Sequence, residues 1–305
     1  MDAFPSPEQR AEAERLPGVP VRRNSERGTG IQPFWTFAGG WAVVCGGLSS
    51  NQIGWSRESL LALAAAFLLV ILAWAGLWNL ATGSDWRRFL REVMAPSRTD
   101  LPVLPYTRPD SPGGRLGRRL SRLVGWWRDT FWPAAGSISA GCLVVILLAI
   151  VLSLLLPPSL RWLNVAVAAL VALGAAQRRR GRTPPAGQSL LFIGIAWMVG
   201  YLAVAPFQWL SVAFAGLFSV AVWGLLRVAQ GRLAGLWLLH GAQLVVAGLL
   251  LGLRQPLAAG GLVSLALGQI LSHQTLRFGE PPGKVAERTW PWLLVAMLVA
   301  AWASP

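Results

Sequence analysis

Side chains able to do chemistry are few in this chain, and they are unevenly placed. None of its 13 acidic residues falls between positions 130 and 279. Proton-coupled transport commonly relies on a carboxylate buried at mid-membrane, and no apolar run here contains one. Ion-driven transport is thereby disfavoured. The polar groups that do enter apolar runs gather toward the same ends: Asn79 and Asp85 on the second run, His240 and Gln243 on the seventh, Gln269 and His273 on the eighth. Such one-sided gathering predicts a polar pocket. Two readings of His240 stand side by side, a histidine bonded to a neighbouring helix or a ligand to a magnesium tetrapyrrole. Arg178, Arg179, Arg180 and Arg182 form the tightest charge run and read as a topology determinant among lipid head groups. Cys45 and Cys142 each sit alone inside an apolar run, where packing accounts for them.

The elements that must position these groups are membrane spans. The chain of 305 residues is 54% hydrophobic and 13% charged, against about 25% charged for a soluble domain. Crossing the hydrocarbon core takes about 20 predominantly apolar residues. Runs of that kind lie near 34–54, 58–82, 134–156, 158–177, 187–204, 207–226, 233–253, 256–273 and 289–304, so about nine spans are expected. Residues 1–33, polar and proline-rich, read as a mobile cytoplasmic tail. The tail and every second loop hold all of the 27 lysines and arginines except Arg57, Arg161 and Arg254. By the positive-inside rule that rich set is cytoplasmic, and so is the N-terminus. A miscounted span would have scrambled the alternation. The net charge of +14 therefore reads as topology and contact with anionic lipid, not as a nucleic-acid surface. Trp35, Trp55, Trp162, Trp209, Trp290 and Trp292 fall near expected span ends, where indoles settle at head-group level.

The long cytoplasmic loop, 83–133, carries its own periodicity. Leu116, Leu120, Leu123, Val124, Trp127 and Phe131 share one helical face, with Arg115, Arg118, Arg119, Arg122 and Arg128 around the remainder. That pattern predicts a basic amphipathic helix in the interface. Its plain role is an anchor; its sharper one is a lid over a cytoplasmic pocket. A shorter stripe, Trp86, Phe89, Leu90, Val93 and Met94, continues the second span.

After that second span comes SDWRRFLRE, 84–92. Together with the span order it resembles the UbiA superfamily of intramembrane prenyltransferases, whose first motif is N-D-x-x-D-x-x-x-D. Asp85 keeps the first aspartate and Glu92 replaces the third, while Ser84 and Arg88 depart. The N-D-W form is common in the chlorophyll-synthase branch, and Trp86 matches it. TRPDSPGGRL, from Thr107 to Leu116, resembles the family's R-P-x-P-S-G-R loop and brings in Arg108. QGRLAG, 230–235, resembles the second motif, in which an aspartate stands four residues before G-D-R-x-A-G. Arg232, Ala234 and Gly235 match, whereas Arg227 and Gly231 stand where the aspartates belong.

The resemblance covers nearly all of 34–304. It implies an all-α membrane domain, nine helices in a ring around a lipid-facing cavity, with Asp85 and Glu92 as catalytic and magnesium-binding carboxylates. It also implies that Arg88, Arg108, Arg227 and Arg232 meet a diphosphate, with Asn79, His240 and Gln243 as polar cavity residues. Magnesium wants several oxygen ligands in octahedral geometry. Arginine at positions 88 and 227 would repel it and grip phosphate directly. Three functions follow. The chain transfers an isoprenoid group with magnesium, or it binds an isoprenoid diphosphate, prenyl lipid or pigment without catalysis and without a cofactor, as the subunit or assembly factor of a membrane-protein partner. Otherwise it is an unrelated multi-span scaffold or lipid transporter. A bacterial cytoplasmic membrane is the expected location.

Overall fold

The computed structural model describes residues 32–51, 56–83, 111–179, 185–274 and 280–305. Among them there are helices and turns and no strand. In chain order α1 is Gln32–Leu48, α2 is 57–83, α3 Pro112–Trp126, α4 Trp132–Leu154, α5 Arg161–Arg179, α6 Pro185–Val204, α7 Trp209–Ala229, α8 Gly235–Gly252, α9 Pro256–His273 and α10 Pro282–Trp302. Six helical stretches are long and apolar enough to cross a membrane, in α2, in α5 with the turn Pro158–Leu160 before it, and in α6, α7, α8 and α9; Phe37–Leu48 and Ser139–Leu154 are shorter apolar stretches. The protein is therefore an all-α, multi-pass membrane protein. Helices are the open-chain answer to a solvent that offers no hydrogen bonds, because each satisfies its own backbone.

Helices α1, α6 and α7 form the middle of the bundle. On one flank α2, α4 and α5 pack together; on the other, α8, α9 and α10. Lipid tails are as apolar as leucine, so helices in a bilayer associate through close packing and hydrogen bonds rather than through expulsion of water. The α1–α6 contact shows the packing part. A Cβ added to Gly46 would overlap the carbonyl of Trp197, and one on Gly200 would overlap the carbonyl of Val43. Backbone touches backbone there because neither glycine has a side chain. Around that contact Trp197 stacks on Phe218 at 5.6 Å between centroids and donates from Nε1 to Ser211 Oγ at 3.1 Å. Across the middle, Trp41 Nε1 donates to the Leu294 carbonyl at 3.0 Å and ties α1 to α10.

Two spans widen into π turns, at Leu69–Trp74 in α2 and at Leu190–Ile195 in α6, and both turns pack against α1. A third, Trp127–Phe131, joins α3 to α4. Pro133 has no N–H to give the carbonyl one turn back, and the wide turn just before it absorbs that loss. Trp126 and Trp132 keep helical backbone angles on either side. The amphipathic stretch is thus the first part of one long helix, started by Ser111, whose Oγ accepts from the Gly114 N–H at 3.0 Å. Leu116, Leu120, Leu123 and Val124 lie exposed along it.

Most outward faces are apolar, as lipid requires. Trp162, Trp209, Trp237 and Trp302 stand exposed near helix ends. Trp290 does not join them. The last helix begins at Pro282, earlier than the expected 289, so Trp290 lies over two turns inside α10 and is buried in the core, while Trp292 is partly exposed. Trp35 and Trp55 lie outside the residues whose side chains are described.

Candidate functional site

The polar residues of α8, α9 and α10 meet in a buried cluster. His240 and Gln243 are one turn apart on α8, and Gln269 and His273 one turn apart on α9, so each pair shares a face. Two rungs cross between the helices. His240 Nε2 lies 3.2 Å from His273 Nδ1, and Gln243 Nε2 donates to Gln269 Oε1 at 3.1 Å. From α10, Thr289 Oγ1 approaches His273 Nε2 at 2.8 Å and donates to the Val285 carbonyl at 2.7 Å.

That hydroxyl assigns both rings. Its one proton goes to Val285, so it accepts from His273 Nε2–H. With one proton per ring, His273 Nδ1 is then an acceptor, and His240 Nε2 carries the proton that it receives. His240 Nδ1 is left as a bare lone pair, buried and without a partner. Gln243 Oε1 and Gln269 Nε2 are buried and unpaired as well. Each buried orphan costs about 1–3 kcal/mol. Two rungs and three orphans describe a polar seam tying α8, α9 and α10 together.

Asn79 is not part of this seam. It lies exposed on α2, on the other flank, with α1, α6 and α7 between. Thr289 was the member absent from the sequence reading.

The turn from α7 to α8 contains QGRLAG. Gly231 takes φ of +79°, and the Arg232 N–H returns to the Arg227 carbonyl at 2.8 Å. This is a left-handed glycine closing a helix. Gly235 packs so closely on Gly224 that a Cβ on either would strike the backbone of the other helix. Turn closure and close approach thus account for Gly231 and Gly235. Arg232 is exposed on the turn. Arg227, in the last turn of α7, is half-buried, with its guanidinium carbon 5.6 Å from the centroid of the Trp223 ring. Its Nε is buried and has no hydrogen-bond partner.

Asp85, Arg88, Glu92 and Arg108 lie outside the described residues. Among the described residues no three His, Cys, Asp or Glu side chains group as a metal would need. The end of α7 presents the Arg227 guanidinium and Gly231 and no carboxylate, so it offers magnesium no acidic side-chain oxygen.

No family model, curated protein or solved structure matches this chain.

Proposed function

We propose that this chain is a nine-span protein of the bacterial cytoplasmic membrane, on a UbiA-like frame, that binds an isoprenoid diphosphate or prenylated lipid without transferring it. In this reading the N-terminus is cytoplasmic and α3 rests at the cytoplasmic interface. Arg227 carries the proposal. A guanidinium half-buried at a helix end, with its Nε unpaired, is an incomplete anion site. Guanidinium holds phosphate through paired hydrogen bonds and needs no metal to do so. Trp223 holds the side chain in place from one face. Arg232 stands at the same turn as a second cation, and neither α7 nor α8 carries a carboxylate.

Labelled geranylgeranyl diphosphate should bind the purified protein in detergent equally well with magnesium or with chelator. Arg227→Gln should weaken that binding about tenfold or more, the size of a lost charge-assisted bond. Binding that needs magnesium, or label transferred to a lipid acceptor, would reject direct capture and point to the enzyme. Absence of binding would leave the scaffold or lipid-transporter reading, which the structural use of Gly231 and Gly235 favours.

A further inference from the structure

A groove of about 290 Å³ lies between α2, α4 and α5, remote from the histidine seam. Its walls are apolar, and Ile146, Ile150 and Leu154 on its α4 side are exposed, so it opens sideways onto the surface that faces lipid. The π turn of α2 contributes Ala73 and Trp74 to its lining. Polar atoms occur at one end only. Trp74 Nε1 donates to Asn164 Oδ1 at 3.0 Å, Asn164 Nδ2 to Ser153 Oγ at 2.7 Å, and Ser153 Oγ to the Ala149 carbonyl at 2.5 Å. These three side chains bond one another in series, with the chain ending on backbone.

Arg161 is the charged residue of the lining, and it stands apart from that chain of bonds. It is exposed, its backbone N–H closes the preceding turn on the Pro158 carbonyl, and its guanidinium has no hydrogen bond or ion pair among the described residues. It begins α5 at the end opposite Arg178, so it belongs to the arginine-poor side of the protein. A slot with hydrocarbon walls, a lateral opening and one unpaired guanidinium at its polar end has the charge pattern of a single lipid.

We propose that this groove is a binding site for one anionic phospholipid, an acyl chain against α2 and α4 and the phosphate on Arg161. Phosphate suits the guanidinium, and the hydrocarbon suits the walls. A net-negative lipid is selected over a zwitterionic one because the groove holds no acid that could receive an ammonium group. The site is at the opposite end of the helices from Arg227 and does not depend on isoprenoid binding there.

The test is native mass spectrometry of the full chain, released from detergent with either phosphatidylglycerol or phosphatidylcholine. The wild type should retain one phosphatidylglycerol in preference to phosphatidylcholine. Arg161→Gln should lose that preference about tenfold, and Ala149→Trp, which fills the slot, should lose both lipids. Arg254→Gln, another arginine of the poor side, should retain lipid like the wild type. Equal retention of the two lipids by the wild type overturns the proposal. Unchanged preference in Arg161→Gln does so too, as does equal loss in Arg254→Gln, which would mean diffuse charge. Should Ala149→Trp fail to fold, the comparison of Arg161→Gln with Arg254→Gln still decides, because each replaces one arginine by a neutral residue of similar shape.

Discussion

Thr289 has one hydroxyl proton and gives it to the carbonyl of Val285, one turn back on its own helix. That choice makes it an acceptor toward His273 and sets the proton pattern of the whole seam. Thr289→Val keeps the shape and removes the acceptor, stranding a buried N–H. The expected cost is about 1–3 kcal/mol, read as a lower thermal midpoint by circular dichroism in detergent. Thr289→Ser should restore most of it, and an unchanged midpoint for the valine variant would remove Thr289 from the seam. His240, Gln243, Gln269 and His273 were legible in the sequence because an imidazole or amide in an apolar run must find a distant partner. Threonine gives no such signal, since it can satisfy its hydroxyl within its own helix. Asn79 carried the same signal as the others, yet it lies exposed on the far flank, because periodicity within one helix says nothing of which helices become neighbours.

At the scale of elements, the six stretches long and apolar enough to cross a membrane were readable to within a few residues. The start of α10 was not. Lys284, Glu287 and Arg288 look like loop, but the opening two turns of this helix carry them, and Arg288 finds Glu280 at 2.8 Å. The junction at Pro133 misled in the opposite direction. Proline reads as a break, and a π turn lets the helix run through it. Packing between elements was less legible still, because a glycine that brings two helices together looks like any other glycine. Gly46→Ala should expose the difference. The added methyl meets backbone, which cannot rotate away, so α1 and α6 must separate. Overpacking of this kind costs about 1–3 kcal/mol. Gly216→Ala, at a helical site with open space, should leave the midpoint near the wild type or raise it. Equal effects at both positions would mean that the α1–α6 approach is not tight.

At the scale of the whole molecule, the proposed nine-span arrangement divides charge across the bilayer. Arg57, Arg161 and Arg254 stand apart from all other basic residues, and Arg161 and Arg178 mark opposite ends of one helix. Cysteines placed singly at Arg232 and Ser159, in a chain with Cys45→Ala and Cys142→Ala, should therefore report opposite compartments. An impermeant maleimide should reach position 232 only in inside-out vesicles and position 159 only in right-side-out ones. Labelling of both from one side would break the alternation on which orientation rests. The composition made a helical, multi-pass membrane protein visible from the start, because lipid acts on every outward residue alike. Which grooves stay open between spans depended on three-dimensional shape, and so the slot beside Arg161 had no signature in the chain. The meeting of Gly46 with Trp197 and of Gly200 with Val43 has a genetic consequence as well. Every missense change in a glycine codon adds atoms, so no conservative replacement exists at either position. A saturation library should therefore find its least forgiving sites in the middle of this bundle, where the wild-type residues have no side chain to lose.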